Sequence, residues 1–142
     1  MEKALELARQ AESNGEVPIG AIVVVDGQVR GCGFNSPIRL MDPTAHAEML
    51  ALREAASSIG NYRLEGATLY STLEPCVMCA GALVAARVKR VVFGCRDLRF
   101  GGVRARFRLA DSELLNHQAI VTEGVLAPEC VTLLQRFFAD RR

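Results

Sequence analysis

The chain has 142 residues, half of them hydrophobic, with 17 basic and 16 acidic side chains and a formal net charge of +1. That length suits one domain with its own core, spanning 1–142. The hydrophobic share excludes a disordered chain, and no apolar run approaches the ~18–20 residues of a membrane span. Ala4, Leu5, Ala8 and Ala11 recur at helical spacing, so the first segment reads as an amphipathic helix ended by Asn14-Gly15. Ile19 to Val25 is a short aliphatic strand, and Asp26-Gly27 turns it into a second strand reaching about Gly33. Asn35 to Pro43 holds two prolines and reads as a loop. A helix is expected from about Thr44 to Ser58, with Asp42 or Thr44 as its cap.

Further along, Ala67 to Thr72 reads as a strand and Pro75 as the opening of a helix that runs to about Arg87. Val88 to Gly94 and Ala119 to Thr122 read as two more strands. Pro128 to Arg142 reads as a closing helix with Val131, Leu134 and Phe138 on its apolar side. Helices alternate with strands, which predicts an α/β fold with one sheet covered on both faces. The amino terminus lacks the apolar core of a secretory signal, and five cysteines suit thiols or metal ligands in a reducing, cytoplasmic setting.

Charge is unevenly spread. Eight basic residues lie between Arg87 and Arg108 against one acid, Asp97, leaving nine basic and fifteen acidic residues elsewhere. A basic segment on an acidic body suits a polyanion such as nucleic acid, although charge runs are often only a solvated face.

The chemistry concentrates at His46-Ala47-Glu48 and at Pro75-Cys76-Val77-Met78-Cys79. Cysteines three apart share a helix face, and a helix amino terminus favours the thiolate that zinc requires. With His46 they make three ligands, which leaves a fourth tetrahedral position for water, the catalytic pattern. Zinc lowers the pKa of a bound water, and Glu48 is the candidate to carry its proton to a substrate. On a continuous helix residues 46 and 48 would point ~200° apart, so a helix end or a curled glutamate is required. A redox CxxC would leave His46 and Glu48 unused. A structural zinc site would need a fourth ligand from His117, Cys32, Cys95 or Cys130, and isolated cysteines are usually small buried hydrophobes. The pairing H-x-E with P-C-x-x-C is the signature of zinc deaminases.

The stretches GEVPIGAIVV, GFNSPI, DPTAHAEMLALR, NYRLEGATLYSTLEPCVMCAGAL, RVVFGCRD, LLNH, EGVLAPEC and LLQRFF carry a further resemblance. Nearly the whole chain resembles the bacterial tRNA-specific adenosine deaminases, within the cytidine/deoxycytidylate deaminase superfamily. The resemblance implies a three-layer α/β/α fold with a central mixed five-stranded sheet, and a homodimer binding one Zn²⁺ per chain. It implies hydrolytic conversion of adenosine to inosine at the wobble position of a tRNA anticodon, chiefly of an arginine tRNA. Asn35, Asp97 and, less directly, Asn116 match positions that contact the target nucleotides.

The chain departs from that family between Leu98 and Ser112. The family runs Gly-Ala-Ala-Gly-Ser and then a short helix, whereas Phe100 to Arg108 alternates arginines with apolar residues. Arg104, Arg106 and Arg108 are therefore expected to meet RNA backbone. Read without the resemblance, Asn35 is a turn residue, Asp97 pairs Arg96 or Arg99, His117 is structural or touches nucleic acid, and Phe137 and Phe138 are core or stack on a base. Two rivals keep parts of this reading: a deaminase of a free base or nucleoside such as guanine or cytosine, and a non-catalytic zinc module that binds RNA.

Overall fold

The structure, a computed structural model, describes residues 1–141. Helix α1 (Glu2–Ser13) leads to the hairpin β1 (Gly20–Val25) and β2 (Gln28–Phe34). Asp26 and Gly27 both take positive φ, 50° and 74°, the pair of left-handed residues that a tight two-residue hairpin requires. A four-residue helix α2 (Pro37–Leu40) stands within the segment expected as loop, its first turn started by Pro37. Then come α3 (Ala47–Ile59), β3 (Thr68–Leu73), α4 (Val77–Ala85), β4 (Arg90–Cys95), β5 (Ile120–Glu123) and α5 (Ala127–Ala139).

The five strands form one sheet in the order β2-β1-β3-β4-β5. β1 is antiparallel to both its neighbours, and β3, β4 and β5 are parallel, so the sheet is mixed as expected. Helices α3 and α4 cover one face over a core that includes Val23, Leu69, Leu83, Val91 and Phe93. Helices α1 and α5 share the other face, where Leu5, Ala8, Cys95, Cys130 and Leu133 meet. The layering is α/β/α. Ala4, Leu5, Ala8 and Ala11 are all buried, as their spacing predicts.

The height of α3 above the sheet is set by small residues. Ala47, Ala51 and Ala55, four apart and fully buried, lie on Gly31 and Gly33 of β2. A Cβ on either glycine would drive into the α3 backbone. This close approach fixes where the amino end of α3, with His46 and Glu48, meets that of α4.

Two helix starts and one helix face differ from expectation for physical reasons. Helix α3 starts at Ala47, not near Thr44, because Asp42 caps a turn instead: its Oδ1 accepts from the Thr44 N–H at 2.8 Å and the Thr44 hydroxyl at 2.7 Å. Helix α4 starts at Val77, two residues after Pro75. Helix α5 buries Cys130, Leu133 and Phe137, while Phe138 is half exposed and Val131 exposed. The two stripes have the same period one residue apart, so spacing alone could not choose between them. Arg142, the last residue expected in that helix, lies outside the described residues.

Candidate active site

Both motifs place their first member just outside a helix. His46 (φ −72°, ψ 151°) and Cys76 (φ −70°, ψ 177°) are extended residues at the N-cap positions of α3 and α4. His46 is not on the helical spiral, which removes the ~200° conflict and lets His46 and Glu48 serve one site. Their carbonyls accept the first helical bonds, from Leu50 at 3.0 Å and Ala80 at 2.8 Å. The free N–H groups of both first turns supply positive potential at the site.

His46 Nδ1 lies 3.5 Å from Cys76 Sγ and 3.6 Å from Cys79 Sγ. A tetrahedral zinc with Zn–N near ~2.0 Å and Zn–S near ~2.3 Å holds its N and S ligands about 3.5 Å apart. The donor set and its spacing therefore fit zinc. It is the one group of three or more such side chains among the described residues with ligand atoms within 4.8 Å of one another. His117 is not part of it: its Nε2–H donates to the Val88 carbonyl at 2.7 Å. All five cysteines are free, and Cys95 and Cys130 are buried packing groups.

The electrostatics suit one thiolate, at Cys76, and a proton-transfer group, at Glu48. Cys79 S–H donates to Cys76, which with His46 holds the Cys76 thiol down at about 4 against the opposing cost of burial. Cys79 is pushed up in turn, foremost by giving that hydrogen bond. Glu48 is buried, and desolvation pushes its carboxyl up to about 7, while its own backbone N–H and His46 pull the other way. A carboxyl near neutrality can both take and give a proton.

Asn35 sits beside this centre. Its N–H donates to the Ile19 carbonyl at 2.9 Å, and the next residue, Ser36, donates to the Ala45 carbonyl at 2.9 Å, one residue before His46. Asn35 is buried, and among the described residues its carboxamide makes no side-chain hydrogen bond within the chain. Asp97 follows β4 at the same end of the sheet as Cys76. Its Oδ1 accepts the N–H groups of Arg99 (3.0 Å) and Phe100 (3.1 Å), not an arginine side chain. Asn116 is not brought to the site within this chain. It precedes β5 and its carbonyl holds the Arg87 guanidinium at 2.8 Å, so a strand of roughly 20 Å separates it from the Asp97 end.

The basic segment is partly neutralised by acids that sequence distance hid. Arg96 pairs Glu123 at 2.8 Å, and Arg104 forms a two-pronged pair with Asp111 at 3.0 and 3.1 Å, with Arg108 on the same carboxylate at 3.1 Å. Arg104 is thereby turned inward, 20% exposed, where an RNA contact was expected. Arg99, over the Phe100 ring at 5.5 Å, and Arg106 have no acidic partner among the described residues, and Arg108 stays 70% exposed. Sequence reasoning also gave no role to Glu74. It is buried and gathers four backbone N–H groups. The one available signal was an acid at the end of an otherwise uncharged strand, directly before Pro75-Cys76.

Fold and centre together define a zinc-type nucleobase or nucleotide deaminase. Residues 1–95 match the cytidine and deoxycytidylate deaminase zinc-binding region, and the chain belongs to that family. Over its whole length it is similar to proteins called tRNA-specific adenosine deaminase. The Haemophilus influenzae protein is 52% identical over 143 residues, covering 100% of this chain and 83% of that one. The Bacillus subtilis protein is 47% identical, covering 100% and 88%. A solved tRNA:A34 deaminase, studied for A-to-I editing at the wobble position of transfer RNA, superimposes with a TM-score of 0.91. It is 42% identical, with 94% of this chain and 97% of that one covered. A guanine deaminase from Nitrosomonas europaea superimposes with a TM-score of 0.83 at 25% identity, covering 97% and 82%.

Proposed function

We propose that the protein converts adenosine to inosine at the wobble position of a tRNA anticodon, releasing ammonia. The observation that carries this reading is the His46, Cys76 and Cys79 centre with buried Glu48 beside it, in a chain 52% identical over its full length to a tRNA-specific adenosine deaminase. An arginine tRNA as substrate, a homodimer, one zinc per chain and a cytoplasmic setting complete the proposal. Among the described residues no helix is long and apolar enough to cross a membrane.

His46 Nδ1, Cys76 Sγ and Cys79 Sγ would hold the zinc. When bound, the metal makes a water acidic enough to act as a nucleophile near neutral pH. Glu48 takes a proton from that water and delivers it to adenine N1. The resulting hydroxide adds at C6, Glu48 then takes the remaining proton from the new C6–OH and gives it to the amine, and the C6–N bond breaks to leave inosine and ammonia. The Asn35 carboxamide, unpaired among the described residues, orients the nucleoside, which must leave its stack to reach the site. Asp97 positions neighbouring nucleotides from the loop after β4. Arg99, Arg106 and Arg108 attract the phosphates without choosing the base.

The likeness to guanine deaminase gives the rival substrate class, a free base. Purified protein incubated separately with an anticodon stem-loop, adenosine, guanine and cytosine distinguishes them. Ammonia should appear with the stem-loop and not with the free bases. Efficient turnover of guanine or cytosine with an inert stem-loop would overturn the RNA reading.

A further inference from the structure

The loop from Asp97 to Ala105 holds neither a helix nor a named strand, yet its backbone is wound around one carboxylate. Glu74 Oε1 accepts the N–H groups of Val103 (3.0 Å), Arg104 (2.6 Å) and Ala105 (2.9 Å). Its Oε2 accepts the N–H of Asp97 at 3.0 Å. Glu74 is 1% exposed and forms no ion pair with an arginine or lysine of the described residues. Four backbone N–H groups converge on its two oxygens.

The same loop is pressed onto the metal turn. Gly102 N–H donates to the Pro75 carbonyl at 2.8 Å, and Gly101 bridges to Cys76. A Cβ at Gly101 would lie 2.5 Å from the Glu74 carboxyl carbon and 2.6 Å from the Asp97 carbonyl oxygen. A Cβ at Gly102 would lie 2.8 Å from the Cys76 backbone. The glycines are where the loop and the turn touch, and Glu74 is what holds them together.

We infer that Glu74 is a positioning residue for substrate: it sets the Asp97–Ala105 loop against the Pro75-Cys76 turn, and so places Asp97 and Arg99 at the rim of the metal centre. It touches neither metal ligand side chains nor substrate. Its loss loosens substrate capture and leaves the zinc chemistry standing. This inference rests on the RNA reading for its kinetic arm only.

The test is E74Q, with G101A as a second variant that disturbs the same contact from the loop side. The glutamine in E74Q can keep an oxygen toward residues 103–105, but its NH₂ then faces the Asp97 N–H, donor against donor. Amide hydrogen exchange should quicken at Asp97 in E74Q and at 97–105 in G101A, with α4 and the zinc content unchanged. This arm needs no substrate. With the stem-loop, both variants should raise KM roughly tenfold or more. kcat should stay within about threefold, since no transition-state group is removed. The E74Q/G101A double variant should be little worse than the poorer single one, because both break one contact. Unchanged exchange at 97–105 overturns the inference. So does lost zinc or a fall in kcat at constant KM, which would make Glu74 a support of the metal turn. Failure of wild-type protein on the stem-loop counts against the RNA reading alone, and the exchange result still decides the role of Glu74.

Discussion

Glu48 is buried beside the ligand set without being needed in it, so E48A separates proton transfer from metal binding. The variant should keep its zinc and fold and lose ~10²–10⁴-fold in kcat, the usual worth of a general acid–base group. C79A should lose most of its zinc, measured by metal analysis, because two donors cannot close the site. Full metal retention in C79A would contradict the ligand assignment. A different expectation attaches to Ser71, whose hydroxyl is fully buried in β3 with no partner among the described residues. An unpaired buried polar group costs about 1–3 kcal/mol, so S71A should raise the denaturation midpoint. A lowered midpoint would mean the hydroxyl is satisfied in solution. The zinc ligands were legible in the sequence because a histidine and two cysteines at this spacing have few other uses. Glu74 and Ser71 were not, because their surroundings are backbone amides and core faces contributed by distant segments, and a sequence does not name those.

At the scale of elements, the decisive surprise is how the Arg96–Arg108 segment is neutralised. Asp111 and Glu123 lie outside the basic run, and only folding brings them onto Arg104, Arg108 and Arg96. Burial acts to raise the Asp111 carboxyl, but hydrogen bonds from Arg104 and Arg108 outweigh it and hold it below its ordinary value. A carboxylate depressed in the folded state contributes stability above its unfolded pKa and loses it as pH falls through the folded value. D111N should therefore cost about 1 kcal/mol at pH 7, and the gap to wild type should close as pH falls below ~4. Denaturation curves at both pH values check this, and a gap that persists in acid contradicts it. The cations left over point elsewhere. The double change R99A/R106A should raise the Kd for an anticodon stem-loop and flatten its salt dependence. Unchanged affinity and slope would make these arginines a solvated face. The order of the strands and the four longer helices was readable from the sequence, and the short α2 was not. The helix starts were not, because His46 and Cys76 occupy cap positions for the sake of the metal, in place of the usual Ser, Thr, Asp or Asn.

Across the whole molecule, the parallel strands β3 and β4 end at one edge of the sheet. The turn after β3 carries Cys76, and the loop after β4 carries Asp97. That edge is where open α/β sheets bind ligands, outside the carboxyl ends of their strands. The α/β class could be read from alternating elements, whereas the mixed sheet followed from family resemblance, since period does not reveal strand direction. Chemistry and substrate meet in one measurement. An anticodon stem-loop with adenosine at the wobble position is incubated with the protein in ¹⁸O-labelled water and digested to nucleosides for mass analysis. The account predicts inosine at that position carrying one solvent oxygen at C6, with other adenosines intact. Unconverted wobble adenosine under conditions where the protein deaminates a free base, or inosine without the solvent label, would contradict it.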